Sequence, residues 1–312
     1  MAKLNEIPTV GDNSYYLPSY ISGLRNLRRV SAIIKEGYEK YPGRAFKIPL
    51  PDRWLVVISG PDMLEDIRKA TDEQLSLRAA FQDFLHTELF FGRQTRVDPY
   101  HVFIFKNTLT RSIGPKFSDM YEEMVAAFEG IPMTRDWTKI PVLKKVLPIV
   151  CRTSNRVFVG APLCRSEDWL ALNIEYTTKV FSRAMMLNLL PKLLQPVVGR
   201  LISPLPACVR RAEKHLVPVI LERLEAEDKT YGDCPDDLLT WLIQGAQGVQ
   251  ERLKPGNLVR RMLNANFAAV HTTSNVRSRV TYTESLMLNI DTSYLQRPSL
   301  EHSFISWSTQ NT

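Results

Sequence analysis

Cysteine is scarce in this chain, and what there is stands apart. Its four cysteines, Cys151, Cys164, Cys208 and Cys234, form no CxxC pair. Disulfide scaffolds are denser than this and zinc sites bring their ligands in close pairs, so reduced structural thiols are the reading and no metal site is expected. Long apolar runs are missing from the start as well. Residues 1–20 carry Glu6 and Asp12, which excludes a signal peptide or membrane span there and leaves IPTVGDNSYYLPSYISG as a Pro/Gly-punctuated entry segment. Nor is there a dense basic block. The excess of 40 Lys and Arg over 33 Asp and Glu gives +7, but Arg28-Arg29, Lys144-Lys145, Arg210-Arg211 and Arg260-Arg261 are scattered. Charge dispersed over solvated helices follows, and nucleic acid is not expected as a partner.

Hydrophobic residues at 44% and charged residues at 23% are enough for a sizeable core. Phe46 and Ile48 lead into a Pro-flanked turn, and the β-rich run from Trp54 to Ser59 ends at Gly60. Pro61 suits a first helical position, with Met63, Leu64 and Ile67 following at helical spacing. Helical periods dominate from about residue 115. Ser118 is positioned to cap a helix whose face carries Phe117, Tyr121, Met124, Val125 and Phe128. Leu143, Val146, Leu147 and Val150 mark the next helix, and Trp169 to Leu190 a long one ended by Pro191. From Arg210 to Lys229 a charged helix should be kinked or split at Pro218.

Within DCPDDLLTWLI, Asp233, Asp236 and Asp237 resemble metal-binding aspartates of a terpene cyclase only superficially. Their spacing is wrong for paired ligands on one helical face, and acids around Pro235 suit a helix N-terminus. The stretch Leu258 to Val276 is different. From Met262 to Val276 it has no Asp, Glu, Lys or Arg, so it should be a helix buried on most of its circumference. Val259, Leu263, Phe267 and Val270 give an apolar face. Ala265, Ala268, Ala269, Thr272 and Thr273 give a small-residue side that a large group could approach closely. Residues 277–312 are rich in Ser and Thr with no sustained period, and read as a poorly packed tail.

The run NFAAVHTTSN on this helix resembles the distal oxygen-activation motif of cytochromes P-450, A/G-G-x-D/E-T-T/S. Ala268 and Ala269 match its small positions, His271 stands where the acid is usual, Thr272 matches the catalytic threonine and Thr273 the following hydroxyl. The segments EGYEKYPGRAFKIP, RWLVVISGPDMLEDIRKA, LTRSIGPKFSDMYEEM and IVCRTSNRVFVGAPLCR are similar to stretches of filamentous-fungal members, in family order. The resemblance covers about residues 5–276.

That resemblance implies a mainly α fold with a small N-terminal β-sheet. It also implies a haem-iron monooxygenase that oxidises a hydrophobic small molecule, with NADPH-cytochrome reductase as partner. Thr272 would organise the water that delivers protons. His271 either takes the acid's role or hydrogen-bonds on the outer side of the helix. The haem propionate clamp usually lies on an early W-x-x-x-R helix, which has no Trp in this chain. Arg111 is the better positional candidate and His101 the second, though Arg111 equally suits an exposed structural role. Residues around Phe81–Phe91 and Met185–Leu190 are implied to line an apolar pocket.

The family's later E-x-x-R and F-x-x-G-x-R-x-C-x-G segments are absent, and no cysteine here has that context. The expectation is therefore residues 1–276 of a cytochrome P-450 domain followed by a non-family tail, 277–312. Such a chain would be truncated, inactive, and partly folded or aggregation-prone when alone. The resemblance places the family at the endoplasmic reticulum membrane; the missing anchor helix here points to the cytoplasm instead. The alternatives are a non-catalytic helical protein with a lipophilic pocket or partner surface, and a different all-α enzyme such as a terpene cyclase.

Overall fold

The computed structural model describes residues 2–11, 19–51, 53–130, 142–227 and 234–270. Among them helices dominate, and the strands form one antiparallel pair near the N-terminus. This is the mainly α architecture expected. The chain divides into two compact units; among the described residues one holds those up to Phe84 with Ala184–Leu201, the other Leu85–Arg183 and those from Ile202 to 270.

In the first unit β1 (Phe46–Pro49) pairs with β2 (Trp54–Val57), Phe46 opposite Val57 and Ile48 opposite Leu55. β2 stops at Val57, short of the full β-rich run. Beyond it Ser59 Oγ donates to the Arg44 carbonyl (3.1 Å), and Gly60 takes φ of 96°, which turns the chain so that Pro61 opens the helix Pro61–Lys69. All of β1 is buried. Phe46 and Ile48 pack with Val10 and Ile33, while Lys47 reaches back to donate from Nζ to the Leu4 carbonyl (2.5 Å).

The second unit is built from long helices with one buried stripe each. On Glu167–Asn188 the stripe runs through Trp169, Leu172, Tyr176 and Val180; on Leu205–Glu227 it runs through Val209, Ala212, Leu216 and Ile220. Leu205–Glu227 is a single helix and is not split at Pro218. Pro218 and Lys214, whose carbonyl loses its partner, both lie on the exposed side, where water can serve that carbonyl. Pro148 within Val142–Phe158 is exposed in the same way, as is Lys144 four residues before it.

The helix Phe117–Glu129 begins a residue earlier than Ser118 could cap, with Lys116 at the N-cap and no side-chain capping bond. Its one buried residue is Glu123, which sits between Arg152 and Arg165, the latter donating from Nη2 at 2.8 Å. Phe117, Tyr121, Val125 and Phe128 do share a face, and that face is exposed. Helices also begin well before residue 115, as short pieces from Leu77–Phe84 to Thr110–Ser112. Most are too short to show a period.

The helix Val30–Lys40 meets β1 at Gly37, where a Cβ would lie 2.3 Å from Cε2 of the fully buried Phe46. Alanine would gain up to ~1 kcal/mol of helix propensity, whereas overpacking a core costs ~1–3 kcal/mol. The close approach puts this site near the upper end of the overpacking range. Gly37→Ala is therefore expected to lower the urea midpoint at unchanged m-value, a loss of about 2 kcal/mol.

Candidate functional site

The last described helix occupies 255–270, with Pro255 at its first position. Leu258, Val259, Met262, Leu263, Asn266 and Val270 are fully buried. Ala265, expected on the open small-residue side, is also buried, because position 265 falls on the core-facing arc with 258 and 262. Ala269 is half-buried, and Ala268 is the one exposed residue between 257 and 270. The opening in this helix is thus narrow and lined by a methyl group.

Three sets of contacts hold the helix around that opening. Asn266 Oδ1 accepts from Asn155 Nδ2 (2.6 Å), whose own Oδ1 accepts from Trp169 Nε1 (2.8 Å), and Asn266 Nδ2 donates to the Met262 carbonyl (3.1 Å). Phe267 stacks on Phe181 (centroids 5.0 Å) and meets Phe91 edge-on (4.7 Å), and Phe91 in turn meets Tyr176. Phe181 and Phe267 are only half-buried, so this aromatic group keeps apolar surface for another molecule.

The third set is charged. Arg261 is fully buried, and its Nη1 donates to the Asp98 carbonyl (2.9 Å) and toward His101 Nδ1 (2.6 Å). Arg252 forms a fork on the Asp98 carboxylate at 2.7 and 2.9 Å. Both guanidinium groups lie over the Tyr100 ring, at 4.7 Å for Arg252 and 4.2 Å for Arg261. Tyr100 donates to the Leu242 carbonyl (3.1 Å), and burial pushes its phenol up to about 12. Burial, then the charge of Arg261, pushes His101 down to about 4. Arg261 Nε and Nη2 are buried with no hydrogen-bond partner among the described residues; Asp98 Oδ2 stands 3.7 Å from Nη2, too far for one.

Of the residues singled out in the sequence, Ala268 and Ala269 lie side by side on the open arc. His271, Thr272 and Thr273 lie outside the described residues. Arg111 is exposed on Thr110–Ser112 and makes no ion pair or hydrogen bond among the described residues. Asp237 acts as a cap: it accepts from the Thr240 amide (3.0 Å) and pairs with Arg223 at 2.5 and 2.8 Å, while Asp236 accepts from Trp241 Nε1 (2.8 Å) and Asp233 lies outside the described residues. Arg261 was not foreseen. Its signal was its spacing, three after Leu258 and four before Ala265, which places a cation on the buried arc.

A family model for cytochrome P-450 matches residues 24–283. Cytochrome P-450 monooxygenase 151 of Postia placenta is 34% identical over 288 residues, which make up 91% of this chain and 56% of the relative. A cytochrome P-450 monooxygenase of Ganoderma lucidum is 31% identical over 285 residues (89% and 55%), and one of Emericella nidulans 31% over 293 (90% and 53%). The chain spans about half the length of the curated relatives it matches.

Folding depresses the His101 pKa from 6.5 to about 4. The neutral ring's contribution to stability is therefore complete above pH 6.5, is lost as pH falls toward 4, and is absent below that. The loss is on the order of 3 kcal/mol. Urea denaturation between pH 7.5 and 4.0 checks this: wild type should lose more stability than His101→Gln, which has no group titrating in that window.

Proposed function

We infer that this chain, which belongs to the cytochrome P-450 family, is the distal part of a monooxygenase acting on a hydrophobic small molecule. The observation that carries the reading is the buried helix 255–270 with its single opening at Ala268, flanked by Ala269 and the half-exposed Phe267–Phe181 pair. A flat apolar macrocycle can rest against a methyl group where a larger side chain would hold it off. The residues present thus fit haem on this face. Haem supplies the oxygen chemistry when bound, its iron held by a thiolate in this family.

This chain's own residues have narrower tasks. Ala268 and Ala269 admit the cofactor, and Phe91, Phe181 and Phe267 exclude water and orient an apolar substrate. Thr272, with His271 and Thr273 next to it in sequence, would hold the proton-delivering water. A reductase drawing on NADPH would be the electron donor.

Three of the four described thiols do not suit iron ligation. Cys151, Cys164 and Cys208 are buried, and burial raises each, Cys151 to about 12, so they stay protonated at neutral pH. We take residues 1–276 as part of such a domain with 277–312 as a tail, and expect none of these three thiols to serve as the iron ligand. A ferrous–CO difference spectrum of the chain reconstituted with haemin tests this. The expected Soret band is that of non-thiolate haem. A band in the thiolate-ligated position would overturn the expectation that these thiols stay off the iron, and absence of haemin uptake would overturn the haem reading.

Membrane association is supported in the first unit. No described helix is long and apolar enough to cross a membrane. Leu193 is 91% exposed and Leu201 80% exposed, with Val197 and Leu194 beside them and Lys192 and Arg200 among them. No acidic residue occurs between Glu175 and Glu213. Apolar side chains rimmed by cations suit an anionic bilayer surface. The chain should co-sediment with phosphatidylserine-containing vesicles, less so in high salt. Leu193→Asp with Leu201→Asp should abolish that binding.

A further inference from the structure

The helix at 255–270 turns roughly 100° per residue. Leu258, Val259, Met262, Leu263 and Val270 all fall within roughly 80° of Asn266, so the asparagine stands inside the aliphatic arc. Ala268, two residues on, lies roughly 200° around and is exposed. The aliphatic side chains are of similar bulk, and methionine adapts to small displacements. Packing among them distinguishes poorly between neighbouring rotations of the helix. Asn266 distinguishes sharply, because its amide must meet one partner in one direction.

That direction originates outside the helix. An indole N–H can only donate. Trp169 Nε1, on Glu167–Asn188, therefore selects the oxygen of Asn155 (2.8 Å) and turns the Asn155 amide nitrogen toward Asn266. One hydrogen of that nitrogen goes to Asn266 Oδ1 (2.6 Å), the other to the Cys151 carbonyl one turn back on Val142–Phe158 (2.8 Å). Asn266 is left with its own nitrogen facing its own helix, where it donates to the Met262 carbonyl (3.1 Å). Trp169, Asn155 and Asn266 are all fully buried, so bulk water cannot replace a lost link. A lone buried asparagine fixes register in coiled coils in the same way, at some cost in stability.

We propose that Asn155 is a positioning residue for the cofactor: oriented by the Trp169 indole, it sets the rotation of the helix 255–270 through Asn266, and so decides that Ala268 is the side chain the haem meets. This rests on the haem reading above. The role is directional. Apolar side chains at the same three positions would remove the polar groups and keep the core, but would leave the rotation unspecified.

Thiol labelling of the full 312-residue chain reads that rotation without haem. Cys151, Cys164 and Cys208 are buried and Cys234 is half-buried, so Cys234→Ser provides a quiet background. On it, Ala268→Cys should react with a maleimide about tenfold or more faster than Ala265→Cys. Asn155→Val should erase most of that contrast. Trp169→Phe, a milder change that frees the Asn155 amide to flip, should reduce it. The triple variant Asn155→Val/Trp169→Phe/Asn266→Val should recover the urea midpoint lost in Asn155→Val, yet keep the contrast low. Equal labelling at the two positions without these changes overturns the proposal. So does a contrast that survives Asn155→Val, or one that returns with the midpoint in the triple variant, because the polar chain would then only stabilise. Should the triple variant fail to fold, an unchanged contrast in Trp169→Phe overturns it instead.

Haemin titration supplies the second arm. Ala268→Leu should weaken haemin binding by about tenfold or more, and should matter less when combined with Asn155→Val. Haemin binding that Ala268→Leu leaves unchanged defeats the assignment of Ala268 to the haem. No haemin uptake by wild type, with a labelling contrast that still depends on Asn155, defeats the haem reading and leaves the rotation assignment standing.

Discussion

A helix buried on nearly all sides can carry polar side chains only where each has a partner, and the helix at 255–270 is organised by that constraint. Asn266 would cost about 1–3 kcal/mol if left unpaired. It is paired, through Asn155, to the indole of Trp169, so three helices share one chain of directional bonds. Apolar packing alone would tolerate small rotations of the helix. A shift of one residue would orphan Asn266 and Asn155 together and swing Ala268 away from the open arc. The polar chain therefore connects a packing requirement to the place where a cofactor can approach.

Much of this could be read in the sequence wherever a pattern ran long enough. The charge-free stretch from Met262 announced a buried helix, Pro61 its helix start, and the aspartates around Pro235 a cap, which Asp237 supplies. Other features could not be read because they depend on partners distant in sequence. Glu123 looks like any surface acid until Arg152 and Arg165 are placed beside it, 29 and 42 residues away. Ala265 and Ala268 are the same residue type three positions apart, and only the neighbouring helices decide which of them is covered. The short helices between Leu77 and Ser112 give too few turns for a period. Pro218 does not split its helix for a different reason: the carbonyl it orphans is on the exposed side, where water can serve it.

The two arginines at the start of the buried helix illustrate how context sets chemistry. Arg260 is half-buried and turns back to the Gly256 carbonyl of its own helix (3.0 Å). Arg261, one residue on, is held entirely inside by Asp98, Tyr100 and His101, and burial lowers its pKa. The same side chain is ordinary at one position and at the next adds to the burial that keeps the His101 ring neutral.

The inversion of the helix Phe117–Glu129, with its acid turned inward and Phe117, Tyr121, Val125 and Phe128 turned outward, bears on the fate of the chain in a cell. Surface of that kind is what chaperones and quality-control proteases respond to. A molecule can be well ordered around Asn266 and Arg261 and still be handled as though unfolded, because those surveillance systems sample the outside. Its abundance would then depend on how soon that stripe is covered, more than on the strength of the core beneath it.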